Sequence, residues 1–556
     1  MSDRPASGEA EQAAPETPVL IVGGGPVGLA MALELAYQGV HSTLVERAES
    51  VSSELLAKAG TLSARTLEFC RRWGIADQVS NWGADPDFPR DTCYVTALVG
   101  GHFIGRAKVA SARERREDAS PEMLRKCPQH VFDPILAEAV ESAGATTLGY
   151  GTELVALQQD ATGVSCRLRS VRSGQEQTLR ASYVVGCDGA ASRVRTQLGI
   201  DFEGPTLDYS VSAILRVPDL DRYHPIGKAT RYIFVGPQGA WANLTSVDYG
   251  ELWRFTLLGS EARLPVEQLD LRQKIVTAFG RDDIPFELMR ALPWRRSQCT
   301  ASRYRSGRVL LAGDAAHTTS PTGGHGLNTG LADVVGLGWL LAARLQGWGG
   351  EGMLDAYEFE RRAIAVRNGR SSTRNYEAWT GGDLDLSGVL DDGPQADAAR
   401  VEIGEALNDK LREEWHADGV RMGYRYEGSP LIVPDGTPEP FDHMVSYVPT
   451  ARPGHRAPHA WLEPGRSVLD LFGHGLVLLD FAGTADLDPL VKVAEQRQVP
   501  LAVQPIRDER IAELYERALV LVRPDGHVGW RGDTAPDIDQ AGRILDRIRG
   551  EGSGSW

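Results

Sequence analysis

The segment PVLIVGGGPVGLA, residues 18–30, decides the fold of this 556-residue chain. Its first five residues carry no polar side chain, which is typical of a strand buried inside a parallel sheet. A turn with the spacing Gly-x-Gly-x-x-Gly follows at residues 23–28, and residues 29–37 then have the pattern of a helix. A second apolar run, residues 42–45, ends in Glu46. This order of strand, glycine turn, helix, strand and acid predicts a dinucleotide-binding unit.

Each part of this unit has a predicted role toward the ligand. Gly23 allows the tight turn, Gly25 lets the backbone approach a pyrophosphate, and Gly28 lets helix and strand pack closely. The helix N-terminus faces the phosphates, and Glu46 can accept hydrogen bonds from ribose hydroxyls. The alternative, a glycine-rich turn without a ligand, leaves Glu46 unexplained. The predicted ligand contacts of this unit are Gly23, Gly25, Pro26, Val27, Gly28, Glu46 and Arg47.

Two later segments also place glycine and aspartate directly after a short apolar strand. One is VVGCDG, residues 184–189, and the other is RVLLAGDAAH, residues 308–317. The second is followed at residues 321–326 by PTGGHG, which exposes much backbone before a helix predicted over 327–345. Such a helix N-terminus can stabilise a ligand that becomes anionic. Three glycine segments in this order indicate one domain built around one extended ligand.

These segments resemble the three marks of the class A FAD-dependent flavoprotein monooxygenases, which are single-component aromatic hydroxylases. The resemblance implies FAD as cofactor and NADPH or NADH as co-substrate. It implies that O2 is used to hydroxylate a phenolic or polycyclic, polyketide-like aromatic compound through a flavin C4a-hydroperoxide. Two readings of the same site stay open: Baeyer–Villiger or epoxidising oxygenation of the same substrate class, and an O2-independent flavin reductase or dehydrogenase.

The resemblance also implies which further residues contact the cofactors. Arg65 is expected near the FAD diphosphate, and Gln129 against the flavin side chain. In the Asp-Gly segment, Ser192 and Arg195 are candidates for nicotinamide binding. The remaining expected FAD contacts are Asp188, Asp314, Pro321, Gly324, Gly326, Leu327 and Asn328.

This chain departs from the family pattern around the third segment. Ser320 stands where the family has a proline, His325 replaces a glutamine, and Gly336 replaces an asparagine. Relatives that act on simple phenols carry an acidic residue where this chain has Gly60. No catalytic base is therefore assigned, and the missing acid favours a polycyclic substrate.

Residues 201–295 alternate polar and apolar side chains in several runs, which predicts antiparallel strands with one covered face. In the resembled family such a sheet covers the substrate pocket. Candidate pocket residues are Tyr232, Trp241, Asn243, Trp253 and Arg254. The alternative is that these side chains only pack the sheet.

The predicted fold class is α/β: a Rossmann-like FAD-binding domain, an inserted antiparallel-sheet substrate domain and a thioredoxin-like C-terminal domain. The FAD-binding domain is discontinuous, with residues 18–90, 120–200 and 296–400. The substrate sheet takes residues 91–119 and 201–295. Further predicted units are a disordered tail at 1–17, a helical connection at 401–439 and the C-terminal domain at 440–556, which resembles that of the phenol-hydroxylase-like members.

Composition excludes several other functions. A formal net charge of -16 argues against nucleic-acid binding, because the chain should repel phosphate backbones. The six cysteines form no Cys-x-x-Cys pair and none follows Cys299, which suits a reducing cytoplasm and excludes thioredoxin chemistry. We expect no metal site, because no histidine, cysteine or carboxylate cluster has ligand spacing. The apolar run at 334–343 is too short to span a membrane, and a homodimer is possible.

Overall fold

The computed structural model describes residues 15–52, 60–109, 118–263, 265–380, 383–483 and 486–551. The strands are β1 (Glu16–Val22), β2 (Ser42–Glu46), β3 (Thr61–Leu62), β4 (Thr92–Val95), β5 (Phe103–Ala107), β6 (Arg125–Lys126), β7 (Thr146–Tyr150), β8 (Thr152–Gln159), β9 (Val164–Ser170), β10 (Glu176–Gly186), β11 (Phe202–Glu203), β12 (Thr206–Arg216), β13 (Arg231–Gly236), β14 (Gly239–Ser246), β15 (Leu252–Ser260), β16 (Glu287–Ser297), β17 (Cys299–Ala301), β18 (Arg305–Ser306), β19 (Val309–Leu311), β20 (His317–Thr318), β21 (Trp461–Glu463), β22 (Arg466–Ser467), β23 (Leu476–Asp480), β24 (Leu501–Pro505), β25 (Leu519–Val522) and β26 (Val528–Gly532). The helices are α1 (Pro26–Tyr37), α2 (Ala64–Arg72), α3 (Ala76–Ser80), α4 (Gln129–Ala143), α5 (Arg193–Gln197), α6 (Leu271–Phe279), α7 (His325–Leu345), α8 (Gly352–Thr380), α9 (Pro394–Lys410), α10 (Arg412–Trp415), α11 (Asp418–Arg421), α12 (Asp488–Gln496), α13 (Glu509–Tyr515) and α14 (Ile538–Ile548).

A mixed sheet of eight strands forms the centre of the N-terminal part, with the order β18-β19-β10-β1-β2-β7 and with β9 and β8 continuing from β10. The five strands β19, β10, β1, β2 and β7 run parallel to one another. Strand β18 is antiparallel to β19. Helix α1 packs against α4 and α7, and α7 packs against α8. Val19, Leu20 and Ile21 of β1 are fully buried, as predicted for a strand covered on both faces. The predicted Rossmann-like α/β domain is therefore present.

The N-terminal boundary differs from the predicted tail at 1–17. Strand β1 begins at Glu16, and the Glu16 and Thr17 backbones lie in register with Arg180 and Ala181 of β10. These two residues belong to the sheet, because the neighbouring strand extends far enough to pair with them. Residues 1–14 of the predicted tail lie outside the described residues.

The second sheet has seven strands in the order β16-β12-β15-β14-β13-β4-β5, and it is antiparallel except where β13 meets β4. Successive residues of a strand point to opposite faces. One face, with Tyr232 and Phe255, packs against Phe279 of α6 in an apolar core. The other face packs at one end against Trp379 of α8 and Leu407 of α9. The sheet therefore has one apolar face and one face turned toward the rest of the molecule.

The helices after the Gly-Asp segment differ from the sequence prediction. Helix α8 runs over 29 residues in a stretch for which no helix was predicted. In the predicted helical connection at 401–439, helix α9 already begins at Pro394 and the last helix, α11, ends at Arg421. Residues 422–439 are irregular. This stretch forms no helix because it has no continuous apolar face. Tyr424, Tyr426 and Leu431 each enter the large core as separate side chains.

The C-terminal part forms a four-stranded sheet with the order β24-β23-β25-β26. Strand β23 is parallel to β24 and antiparallel to β25, and β25 forms a hairpin with β26. With α12 and α13 between the first three strands and α14 after the last, this is the predicted thioredoxin-like arrangement.

Helix α7 is apolar and long enough to cross a bilayer by composition alone. However, 83% of its most apolar window is buried inside the protein. Its packing against α1 and α8 identifies it as a core helix.

Candidate functional site

The three glycine segments meet at one edge of the large sheet. Val22 at the end of β1 is in register with Val45 of β2 and with Gly186 of β10. Gly186 is in turn in register with Leu311 of β19. Because these four strands are parallel, the loops that follow them all begin at the carboxyl edge of the sheet, where open α/β folds bind their ligands.

The first glycine loop is closed by protein at one end and open at the other. A methyl group on Gly28 would lie 1.8 Å from the carbonyl oxygen of Gly23, so only glycine fits there. A methyl group on Gly25 would meet no protein atom within 4 Å. Gly25 is also the N-cap of α1, and among the described residues no side chain caps that helix end. The loop therefore leaves a space at the helix N-terminus that suits a phosphate group.

Gly25→Ala is expected to fold like the native chain and to bind FAD at least about tenfold more weakly, since the added methyl group enters the space reserved for the ligand. Gly28→Ala is the matched comparison: its methyl group collides with Gly23, so it should also lower the melting temperature. Flavin titration of the apoprotein and thermal unfolding separate the two effects. Unchanged FAD affinity in Gly25→Ala would contradict this placement of the cofactor.

Glu46 holds the glycine loop from the neighbouring strand. Its Oε2 accepts a hydrogen bond from the Gly24 amide at 2.7 Å, and its Oε1 accepts one from the Ala48 amide at 2.8 Å. Each carboxylate oxygen can accept a further bond. The carboxylate thus fixes the loop. The ribose contact of Glu46 and the cofactor contact of Arg47, which is exposed beside it, stay predictions.

Asp188 presents an unused acceptor at the same edge. Its Oδ2 accepts hydrogen bonds from the Arg193 and Val194 amides at 2.7 and 3.1 Å and so caps α5. Its Oδ1 is buried and has no hydrogen-bond partner among the described residues. Buried acceptors are rarely left unpaired, so this atom fits a ligand hydroxyl. The residues present therefore suit the predicted FAD at two independent points, the Gly25 space and Asp188.

Ser192 and Arg195 have structural partners. Ser192 Oγ accepts a hydrogen bond from the Arg195 amide at 2.9 Å. The Arg195 guanidinium donates to the carbonyls of Ala190 and Ala315, each at 2.9 Å, and stacks on Phe202. Arg195 thereby ties the Asp-Gly segment to the Gly-Asp turn. Nicotinamide binding by these residues stays a prediction.

The Gly-Asp turn is held by Asp333, a residue of α7 that was not among the predicted site residues. Gly313 has φ +61°, and a methyl group there would lie 2.8 Å from Val27. The Gly313 amide donates to Asp333 Oδ2 at 3.1 Å. The same carboxylate contacts His317 Nε2 at 2.7 Å and accepts from Arg361 Nε at 2.8 Å. In the sequence, Asp333 stands out only as a single acid directly before the apolar residues 334–343.

Asp314 itself is exposed in the turn above Asp333. Burial alone would raise the pKa of the Asp333 carboxyl, but His317 and Arg361 hold that pKa below its ordinary value. Asp333 is therefore a buried carboxylate that fixes the turn, whereas Asp314 lies on the exposed side of the same turn.

The loop before α7 is fastened by Asn328. Its Oδ1 accepts hydrogen bonds from the Ser63 amide at 2.8 Å and from Thr66 Oγ1 at 2.7 Å. Its Nδ2 donates to the carbonyls of Thr61 and Gly324 at 3.1 and 2.6 Å. The Asn328 side chain is thus used to hold the loop. Gly324 has φ +69° and is the N-cap of α7. No side chain in the described part of the chain caps this helix, so the backbone amides that follow Gly324 suit a ligand.

Two of the three residues that depart from the family pattern, Ser320 and Gly336, contact arginine side chains of this chain. Ser320 Oγ accepts a hydrogen bond from Arg296 at 3.0 Å and pairs with Thr322 Oγ1 at 2.8 Å. Gly336 lies beside Arg361, and a methyl group there would be 3.4 Å from Arg361 Cδ. A larger residue such as asparagine would crowd the guanidinium that binds Asp333.

The third departure, His325, is a buried neutral imidazole. Burial first, and then the positive charges of Arg421 and Arg367, lower the pKa of His325 to about 3. It therefore carries no charge near neutral pH. His325 therefore adds no positive potential to this loop, whereas the helix N-terminus does.

Arg65 has partners within the protein that its sequence position did not indicate. Its guanidinium donates to Glu68 at 2.6 Å and to the carbonyl of Asp525 at 2.7 Å, and only 5% of the residue is exposed. These partners lie in α2 and in the turn between β25 and β26, so Arg65 binds the C-terminal domain. These partners engage the guanidinium within the protein, and the expected diphosphate contact of Arg65 stays a prediction. Gln129 begins α4 and donates to Asp133 at 3.0 Å, and its flavin contact stays a prediction.

The candidate substrate residues divide between the two faces of the second sheet. Tyr232 and Trp253 are 0% and 1% exposed and lie in the apolar core with α6. Trp241 packs on Phe234 and Phe255 of the same core. These three side chains pack the sheet against α6, as the alternative interpretation expected. They lie on the face of the sheet opposite Asn243 and Arg254.

Asn243 and Arg254 lie on the opposite, polar face, where further residues escaped the sequence analysis. Ser212 pairs with Thr256 at 2.9 Å and accepts a hydrogen bond from Trp294 Nε1 at 2.9 Å. Arg296 donates to Asp208 at 3.2 Å and reaches the cofactor loop at Ser320. This polar face is therefore connected to the loop before α7 and forms the candidate substrate side of the site.

Comparison with known proteins agrees with this site. Residues 16–372 match the family described as FAD binding domain, and residues 450–552 match the aromatic-ring hydroxylase C-terminal family. A putative polyketide hydroxylase of Streptomyces halstedii is 34% identical over 561 residues, which cover 96% of each chain. The rebeccamycin biosynthetic enzyme RebC, solved with reduced flavin, has a TM-score of 0.88 and 36% identity, with 97% of this chain and 100% of that chain covered.

A further solved relative is the flavin-dependent monooxygenase PieE in complex with FAD and substrate. It has a TM-score of 0.87 and 32% identity, covering 97% of this chain and 100% of that chain. Family match, chain-wide similarity and the strand-edge site agree, and they confirm the predicted FAD-binding fold. The chain belongs to the FAD-dependent aromatic-ring hydroxylases, a family of flavoprotein monooxygenases.

Proposed function

We propose that this chain uses NADPH or NADH and O2 to insert one oxygen atom into a phenolic or polycyclic, polyketide-like aromatic compound. The observation that carries the proposal is the polar sheet face joined to the cofactor loop by the contact between Arg296 and Ser320. Bound FAD supplies the redox chemistry, in which it takes a hydride from the nicotinamide and passes electrons to O2. The similar polyketide hydroxylase supports the substrate class.

The residues of this chain contribute position and polarity to that chemistry. Asp314, the Gly324 backbone and the start of α7 hold the flavin edge. Asn243, Ser212 and Thr256 offer hydrogen bonds to an aromatic substrate on the opposite side. Gly60 has no side chain, so no acid at that position takes part in ionising the substrate.

Oxygen-18 labelling tests the function directly. Holoenzyme, NADPH and labelled O2 are incubated with a panel of hydroxylated anthraquinones and naphthacenequinones, with phenol and resorcinol as small comparators. The proposal expects a product that gains one labelled oxygen atom, and product NMR separates a new hydroxyl group from an epoxide or an inserted ring oxygen. Substrate-dependent NADPH oxidation that leaves every product unlabelled would favour the O2-independent dehydrogenase reading.

A further inference from the structure

Lys126 stands beside the cofactor loop on a short strand that the function above does not use. Strand β6 pairs with β3, where Lys126 is in register with Thr61. A methyl group on Gly60 would lie 3.4 Å from Lys126 Nζ. The carbonyl of Thr61 is held by Asn328, and Thr61 Cβ would lie 3.9 Å from a methyl group on Gly324. The ammonium group therefore lies next to the position where relatives acting on simple phenols carry an acid.

The surroundings of Lys126 are strongly positive. Arg254 on β15, Arg231 on β13 and Arg90 before β4 all act on it, and Asp248 is the opposing acid. Burial first, and then these three arginines, lower the pKa of Lys126 to about 7. In the part of the chain that the structure describes, no oxygen accepts a hydrogen bond from its ammonium group and no carboxylate forms an ion pair with it. A cation in such a place is stabilised by an incoming anion.

A flat aromatic surface adjoins this cation. The Tyr249 ring centre is 6.0 Å from Lys126 Nζ, and Tyr249 stacks on Phe88 with 4.7 Å between ring centres. Tyr249 has φ +61°, a conformation that non-glycine residues rarely adopt and that often marks functional sites. Burial raises the pKa of the Tyr249 phenol, so this ring stays neutral near pH 7. The Lys126 backbone is fixed by Trp82 Nε1, which donates to its carbonyl at 2.6 Å.

We propose that Lys126 is a recognition site for the anionic group of an aromatic substrate, a carboxylate or an ionised phenol, with Arg254 and Arg231 adding positive potential and Tyr249 offering a ring to stack on. The proposal rests on the proposed function in its choice of an aromatic ligand. It deepens that function, because it replaces the missing acid at Gly60 with a charge that attracts an anion already formed. Substrates without an acidic group would bind weakly.

Ligand pairs that differ only in charge test this site. Binding of 2-naphthoate, 2-naphthamide and 2-naphthol to oxidised holoenzyme is measured by flavin absorbance and tryptophan fluorescence. The native chain should bind 2-naphthoate at least about tenfold more tightly than 2-naphthamide, a difference of about 1.4 kcal/mol. Lys126→Gln should remove this preference by weakening 2-naphthoate alone. 2-Naphthol stays neutral at the pH at which Lys126 is protonated, so it should bind no more tightly than 2-naphthamide.

Lys228→Gln is the matched control, because Lys228 is exposed on the far side of the same stack, 5.9 Å from the Phe88 ring. It should leave both affinities unchanged. Equal affinity of the native chain for acid and amide, failure of 2-naphthoate to bind, or an unchanged preference in Lys126→Gln would overturn the proposal.

A pH titration of the native chain is a second measurement that needs no variant. Only protonated Lys126 attracts the anion, so the dissociation constant of 2-naphthoate should rise by about tenfold per pH unit above about 7. A flat profile between pH 6 and about 9 would count against Lys126. These measurements need neither NADPH nor O2, so their failure is distinct from a failure of oxygen insertion.

Discussion

Glu68→Ala is expected to lower the free energy of unfolding by about 3–5 kcal/mol, because it removes the counterion that two buried arginines share. Glu68 lies on α2 with 5% of its side chain exposed. Its Oε2 accepts a hydrogen bond from Arg65 at 2.6 Å, and its carboxylate also binds Arg456 from the C-terminal domain. Without it, two guanidinium groups that are 6% and 1% exposed would face each other uncompensated.

Urea unfolding of the FAD-free protein measures this loss. Arg71→Gln is the matched control, since Arg71 lies on the same helix and pairs with Asp470 of the C-terminal domain with 29% of its side chain exposed. Such an exposed pair contributes about 0–1 kcal/mol. A loss in Glu68→Ala no larger than in the control would show that the buried cluster does not hold the domains together.

The same carboxylate predicts a loss of stability in acid. Burial acts to raise the pKa of Glu68, but Arg456 and Arg65 outweigh it and lower that pKa to about 2. Because the folded pKa lies below the ordinary value of 4.5, the stabilisation is complete above about pH 4.5 and is lost as the pH falls toward about 2. Between these values the melting temperature of the native chain should fall more steeply than that of Glu68→Gln. Parallel curves would contradict the assignment.

The cofactor half of the site could be predicted from sequence because its information is local. Each glycine segment directly follows a short apolar run, and parallel strands bring their carboxyl ends to one edge whatever the length of chain between them. The register of Val22, Gly186 and Leu311 follows from that rule. The predicted positions of the glycine loops and of Asp188 needed no knowledge of distant packing.

The substrate-facing residues could not be predicted, because the alternation of polar and apolar side chains does not show which face of the sheet is covered by α6 and which faces the cofactor loops. The pattern separates Tyr232 and Trp253 from Asn243 and Arg254, but only the docking of α6 decides which pair is core. Large aromatic side chains suggested a pocket wall, and they belong to the apolar core instead. Helix α8 was missed because it buries polar residues such as Glu360 and Asn368, which hide its inward face.

Arg65 shows a second limit, since one of its partners lies far away in sequence. Arg65 bonds to Asp525, 460 positions later, and no local pattern reveals that contact. The turn that carries Asp525 also holds Arg523, which binds Glu360 of α8 through two hydrogen bonds of 2.6 and 2.8 Å. The C-terminal domain thus reaches the helices behind the flavin loop, although its sequence indicates only a separate unit.

Asp333→Ala is expected to weaken both the fold and FAD binding, whereas Asp314→Ala should weaken mainly FAD binding. Asp333 is fully buried and binds Arg361, so its removal leaves a buried guanidinium unpaired and should cost about 3–5 kcal/mol of unfolding free energy. It also releases the Gly313 amide that shapes the turn. Asp314 is exposed, so losing one charged hydrogen bond to the ligand should cost about 1.5–3 kcal/mol of FAD binding, and the apoprotein should lose much less stability than in Asp333→Ala.

Asp333→Asn separates charge from shape in this comparison. Its amide oxygen can still accept from Gly313, but it cannot neutralise Arg361, so the turn should survive while stability falls. FAD titration of the apoprotein and urea unfolding are measured for all three variants. If Asp333→Ala is as stable as the native chain, the buried carboxylate is not a structural counterion. If Asp314→Ala keeps full FAD affinity, Asp314 does not face the cofactor, and the turn would act only through its backbone.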